Sequence, residues 1–160
     1  MIGRREFMTG LLLSPLLADA ANADPAAKAF LEKIYAAYKG KSSKGVSLDS
    51  DAKMRSYFEP SLAALMIKDR KAAAKSGDVG ALDGDPFVNG QDWEIAGPVD
   101  VSVEDITPDR AKATAKFTNI KMPQTVLYDL VKLKDGWRIA DITWPENPKD
   151  AQTLRGLYKK

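Results

Sequence analysis

Apolar residues recur every three or four positions from Ala27 to Tyr38, through Phe30, Leu31, Ile34 and Tyr35. That spacing lays them along one stripe and predicts an amphipathic helix over 25–39. Asp24 stands where an N-cap belongs, Pro25 fits the first helical position, and Gly40 stops the run. A shorter helix is predicted over 48–58. Glu59-Pro60 breaks it and opens a third helix to about Lys75, with Leu62, Leu65, Met66, Ala72 and Ala73 inward. Lys68, Arg70, Lys71 and Lys75 fall in its latter half, where the helix dipole favours cations.

The period then changes to two. Val99, Val101 and Val103 alternate with Asp100, Ser102 and Glu104. After a turn at Thr107-Pro108-Asp109, Ala111, Ala113, Ala115 and Phe117 alternate with Lys112, Thr114 and Lys116. These patterns predict two half-buried antiparallel strands. A third strand is predicted over 124–134, then a tight hairpin at Asp135-Gly136 and a fourth strand over 137–143. A short C-terminal helix over 148–158 would place Leu154 and Leu157 inward. Helices first and strands afterwards predict an α+β domain, with the helices packed on one side of a bent antiparallel β-meander. Such a sheet makes a cone with an open mouth. The expected core includes Phe30, Leu31, Ile34, Leu65, Val101, Phe117, Leu130 and Ile139.

The first residues carry a different message. Arg4-Arg5-Glu6-Phe7-Met8 precedes an apolar run over 11–17, and Ala21-Asn22-Ala23 follows. This is the form of a twin-arginine (Tat) export signal cleaved after Ala23. The run is interrupted by Pro15 and is short of the roughly 20 apolar residues that span a bilayer. The expectation is therefore a periplasmic protein whose mature part, 24–160, is one domain without a transmembrane segment.

Composition narrows the chemistry. The signal holds Arg4, Arg5, Glu6 and Asp19, so the net charge of +2 belongs to the mature chain. That balance argues against nucleic acid as a partner. There is no Cys, so lipid attachment through Cys is excluded and the core has to suffice without disulfides. There is no His, which excludes Ser-His and Cys-His nucleophile pairs and His/Cys metal sites. Catalysis would rest on Asp, Glu, Lys, Tyr, Ser or Thr, and a metal would need oxygen ligands. No cofactor is implied.

Two stretches resemble a known family. Asp85-Pro86-Phe87, followed by Gln91-Asp92-Trp93, is similar to the central motif of the bacterial envelope family called domain of unknown function 3828. The ending from Leu133 to Ile142, with Lys134-Asp135-Gly136-Trp137, resembles the last hairpin of the wider nuclear-transport-factor-two-like superfamily. The resemblance covers most of the mature chain in element order. It implies a cone-shaped α+β fold and no particular activity.

The candidate site residues lie between the third helix and the first strand. From Ser76 to Asp109 the chain has acids and no Lys or Arg. Asp83, Asp85 and Glu94 fall at EF-hand positions one, three and twelve, but Phe87 and Val88 stand where a ligand and the turn Gly belong, so an EF-hand is rejected. A looser oxygen site from Asp83, Asp85, Asn89 and Asp92 remains open. Asp92 beside Trp93 reads as a general base at a cavity mouth, or as a loop tie with Gln91 while Trp93 enters the core. Tyr128 and Asp129 point to opposite faces, and Tyr128 needs a partner for its hydroxyl or an opening. The ligand-binding candidates are thus Asp85, Gln91, Asp92, Trp93 and Tyr128. The other aromatics, Tyr35, Tyr38, Tyr57, Phe58, Trp137 and Trp144, read as core before they read as a pocket. The basic part of the third helix and Lys149, Arg155, Lys159 and Lys160 read as a solvated face before an anionic-partner face.

Three functions fit. The preferred one is a non-catalytic binding or interaction module for an unknown small molecule or protein, with a homodimer through the sheet as one form of partner. The alternatives are a His-free enzyme with Asp92 or Asp85 as base, and a calcium-like cation binder using the acidic 78–109 segment.

Overall fold

A computed structural model describes residues 24–40, 42–145 and 152–159. The export signal, Lys149 and Lys160 lie outside the described residues. Three helices come first: α1 (Pro25–Ala36), α2 (Asp51–Tyr57) and α3 (Pro60–Ser76). Five strands follow, β1 (Ile95–Thr107), β2 (Arg110–Asn119), β3 (Met122–Leu133), β4 (Gly136–Trp144) and β5 (Gln152–Thr153), then a 3-10 turn at Gly156–Tyr158. The strands form one antiparallel meander in sequence order. The helices lie on one face of it, and the fold is α+β.

Local chemistry sets the helix ends. Asp24 accepts from Ala26 N at 2.8 Å and caps α1, with Pro25 at the first position. The same carboxylate takes Lys132 Nζ at 2.8 Å and Trp137 Nε1 at 3.1 Å, which pins the start of α1 to the sheet. Those bonds, Lys132 first, hold it below the usual carboxylate range. Glu59 caps α3 before Pro60, and Gly77 ends it in the left-handed region at φ +79°. α3 buries Leu62, Ala63, Met66 and Ile67. Leu65 is 37% exposed and Ala72 is exposed, contrary to the sequence expectation. They sit one position off the buried 62/66 and 63/67 rows. Phe30 is half-buried at the edge of the α1 stripe.

The inner face of the sheet carries the rest of the core. Val101 pairs with Ala115, and Ala113 with Tyr128. The small β2 side chains Ala111, Ala113 and Ala115 are all buried, and they leave room for the Tyr128 and Phe117 rings. Three register shifts bend the sheet: one at Gly97 (φ +79°) in β1, one between Asp105 and Thr107, and one beside Ala140, which lies between the paired Ile139 and Asp141. The outer face is polar. Lys112 Nζ meets Asp129 at 2.6 Å between Glu104 and Asp141, and Asp100 faces Lys116.

The β1–β2 hairpin turns at Pro108-Asp109 as expected, and the next two hairpins add what the sequence reading did not give. Between β3 and β4, Leu133 pairs with Gly136, so the tight loop is Lys134-Asp135, one residue earlier than expected. Neither loop residue has a positive φ, which a type I′ turn would require, and the unusual conformation falls on Gly136 at φ +121°. Between β2 and β3 the loop is Ile120-Lys121, with φ +47° and +64°. It makes the primed geometry without Gly or Asn and gave no sequence signal. Of the C-terminal helix expected over 148–158, the described residues 152–158 instead form β5, paired on β4 through Thr143 and Trp144, and a single 3-10 turn. Leu154 is fully buried as expected. With Phe58 bridging Ile139 and Glu59 N donating to Ile139 O at 2.9 Å, the outer edge of β4 is covered.

Candidate functional site: a tyrosine-anchored loop and the cleft beside it

The segment from Asp78 to Glu94 has no ladder to satisfy its backbone, and side chains supply the partners. Asp69 on α3 accepts from Ala81 N at 2.7 Å. A Cβ on Gly80 would stand 2.6 Å from that same oxygen, so the bond requires glycine there. Asp85 and Gly90 then bridge, closing a small loop with Asn89 at φ +52°.

Asp85 is the centre of this loop. Its Oδ1 accepts from Phe87 N at 2.9 Å, its Oδ2 from the Tyr38 hydroxyl at 2.6 Å, and Val88 N also donates to the carboxylate. Burial pushes its pKa up, against the lowering effect of those three donors. Tyr35 donates to Phe87 O at 3.0 Å and Trp144 Nε1 to Pro86 O at 3.0 Å. Tyr35 and Tyr128 hydroxyls lie 2.7 Å apart. Because Tyr35 spends its proton on Phe87, Tyr128 is the donor between them. Burial first of all holds both phenols above their ordinary range. Phe87 stacks on Phe58 with centroids 6.0 Å apart. The interior that a bent sheet leaves is therefore filled by Phe87, Tyr35, Tyr38, Phe117 and Tyr128. The expected open mouth is closed by the Asp-Pro-Phe loop.

The remaining candidates divide. Tyr128 and Asp85 meet in this buried network through Tyr35 and Phe87. Gln91 is exposed, and its Nε2 donates to Asp83 at 3.2 Å. Asp92 is also exposed. Its tie to the fold is its backbone carbonyl, which accepts from Asn119 Nδ2 at 3.3 Å. Trp93 is half-buried rather than a core residue, edge-on to Tyr38 at 5.4 Å, with Nε1 donating to Ser43 Oγ at 2.9 Å. The oxygen set Asp83, Asp85, Asn89 and Asp92 is spread along the loop, and no three acidic groups gather among the described residues.

Sequence reasoning missed Asn119. It is buried, it holds Asp92 O, and its Oδ1 accepts from Glu94 N at 2.8 Å. Nothing in a strand-end Asn distinguishes this from a turn residue.

Three hollows adjoin the loop. One, of about 290 Å³, is lined by Asp83, Asp85, Asn89, Gln91 and Trp144. A second, of about 560 Å³, is lined by Tyr38, Ser43, Asp92, Trp93 and Glu94. The third, of about 360 Å³, lies between α2, α3 and the 80–86 stretch. Its wall is Val46, Leu48, Met54, Met66 and Leu82, with Asp69, Arg70, Asp85 and Tyr158 among the polar side chains around it. Arg70 is committed to Asp49 O and the Asp51 carboxylate, which Lys71 also reaches at 2.8 Å. Burial, and then Asp69 nearby, push the Tyr158 phenol up to about 12. Met66 reads as core in the sequence because a hollow and a core share the same apolar spacing.

No protein-family model, no curated protein and no solved structure matches this chain.

Proposed function

We propose that this protein is exported by the twin-arginine route, is cleaved after Ala23, and serves in the periplasm as a non-catalytic binding module. Its ligand site is the cleft between α2, α3 and the 80–86 stretch. The observation that carries this reading is the division of labour around that cleft. Its wall is apolar, with Met54 and Met66 at the bottom. Polar groups beside it are engaged in holding the walls, Arg70 on 49–51 and Asp85 on 87–88. A pre-formed apolar hollow of this size is the form that small-molecule sites take.

The enzyme reading has less support. Three of the roughly four acceptor positions of Asp85 are occupied by structural donors, and the Asp92 carboxylate is exposed to water. Membership of the domain-of-unknown-function family stays a proposal, carried by Asp85-Pro86-Phe87 and Gln91-Asp92-Trp93. Self-association would use the open β1 edge, because the outer sheet face alternates in charge.

The test is titration of the mature protein with 4-phenylbutanol, a neutral apolar probe, followed by amide NMR. Saturable shifts are expected at Leu48, Met66, Gly80 and Leu82. Ala73→Trp, which fills the cleft from α3, should abolish them. Shifts confined to Ser43 and Trp93, or none at all, would overturn this site.

A further inference from the structure

The charged groups around the cleft are unequally engaged. Asp69 and Asp85 border it. The one cation bordering it, Arg70, is bound to the Asp51 carboxylate and to Asp49 O. Arg70 thus turns its donors toward α2, where it shares the Asp51 carboxylate with Lys71, and of the two acids Asp85 is taken up by the donors of its own loop.

Asp69 is the better placed of the two. It is half-buried on α3, where a charge is only partly hydrated. Its Oδ2 holds Ala81 N, an engagement that fixes the carboxylate's direction. The second oxygen still has its acceptor capacity. Tyr158, whose ring also borders the cleft, supplies an aromatic surface close to that carboxylate. A carboxylate beside an aromatic ring at the rim of an apolar hollow has the elements that hold an ammonium group.

Resting on the binding-module reading, we propose that the cleft takes a small amphipathic amine. Its apolar body lies against Leu48, Met54, Met66 and Leu82, and its ammonium group meets Asp69 beside the Tyr158 ring. An organic acid of the same shape is disfavoured, because its charge would face Asp69 and Asp85 with Arg70 already paired. The volume of about 360 Å³ limits the ligand to a single small molecule rather than a peptide segment.

The experiment compares three probes of one shape, 4-phenylbutylamine, 4-phenylbutanol and 4-phenylbutyrate, by calorimetry and amide NMR at neutral pH and low salt. The amine is expected to bind about tenfold more tightly than the alcohol, as a charge-assisted bond in a partly buried site implies. The acid should bind more weakly than either. Asp69→Asn keeps an oxygen for Ala81 N and removes the charge. It should bring the amine down to the affinity that the alcohol has for the same variant. If the alcohol and amine bind equally to the wild type, or the amine keeps its advantage in Asp69→Asn, the amine proposal is wrong while the site survives. If none of the three binds at the cleft, the site itself is wrong. Should Asp69→Asn melt markedly lower, Tyr158→Leu is the second variant. It removes the ring and keeps Asp69, and an undiminished preference for the amine in it would overturn the role given to Tyr158.

Discussion

The Tyr38 hydroxyl donates to Asp85 Oδ2 at 2.6 Å, and this bond joins the end of the first helix to the loop that closes the sheet. Val46 N donates to the same phenol oxygen. Tyr38 therefore links three segments that are distant in sequence. Tyr38→Phe keeps the ring and strips one of three donors from a buried carboxylate. The expected loss is about 2 kcal/mol in urea unfolding. A loss below the error of the measurement would mean that water replaces the phenol.

Asp85 also sets a pH dependence whose sign follows from its raised pKa. In the unfolded chain it titrates near the ordinary carboxylate value of 3.8, and in the folded chain it titrates higher. Its favourable contribution is fully present below the unfolded value and is lost as pH rises through the folded value. Asp24, Asp49, Asp51 and Asp109 are shifted the other way, so total stability mixes both trends. The difference between wild type and Asp85→Asn isolates this one site. Wild type should lose ground to the variant as pH goes from about 3.5 to 7. A flat difference across that range would contradict the buried, desolvated carboxylate.

The phenol chain makes a ranking. Tyr35→Phe leaves Phe87 O and the Tyr128 hydroxyl both without their partner, whereas Tyr128→Phe removes only a donor to Tyr35. The first should cost more, about 2–4 kcal/mol against about 1. Chemical denaturation of the two variants, with the double variant to close the cycle, checks the order. Equal losses would reverse the donor assignment.

The strand-side ties should rank against the sequence expectation. Asp92→Asn is expected to change stability by less than about 0.5 kcal/mol, because its carboxylate is exposed. Asn119→Ala should cost about 2 kcal/mol, since it frees Asp92 O and Glu94 N together. Trp93→Ala should fall near 2 kcal/mol rather than the 3–5 of a fully buried ring. Melting curves of the three variants test this.

One change should stabilise the protein. Ile120 and Lys121 hold left-handed backbone, and Ile120 is 50% exposed, so its side chain gains little from burial there. A β-branched residue is poorly suited to that conformation. Ile120→Asn with Lys121→Gly supplies the pair that type I′ hairpins favour and should raise stability by about 1–2 kcal/mol. A lower midpoint in urea would show that the hairpin tip does not hold this geometry.

Export is tested apart from structure. With Arg4 and Arg5 both changed to Lys, precursor should stay in the cytoplasm. Mature protein in the periplasm of cells lacking the Tat translocase would assign a different route.

Local spacing by itself determined the order of elements. The three- and four-residue recurrence of Leu31, Ile34 and Tyr35 makes a helix, and the alternation at Val101 and Ala113 makes half-buried strands, whatever the partner surface is. Asp24, Pro25 and Gly77 mark helix ends because their conformational preferences act within one turn. Only tertiary structure decided which residues meet. Tyr38, Tyr35 and Trp144 read alike as core aromatics, yet each turns its polar atom on one short loop, because a buried loop has to find its donors and acceptors across the fold. Asp85 was singled out for chemistry and Asp69 was hidden among the cations of its helix. What separates Asp85 from an ordinary acid is the loss of surrounding water, a property of the packed neighbours that no spacing along the chain encodes.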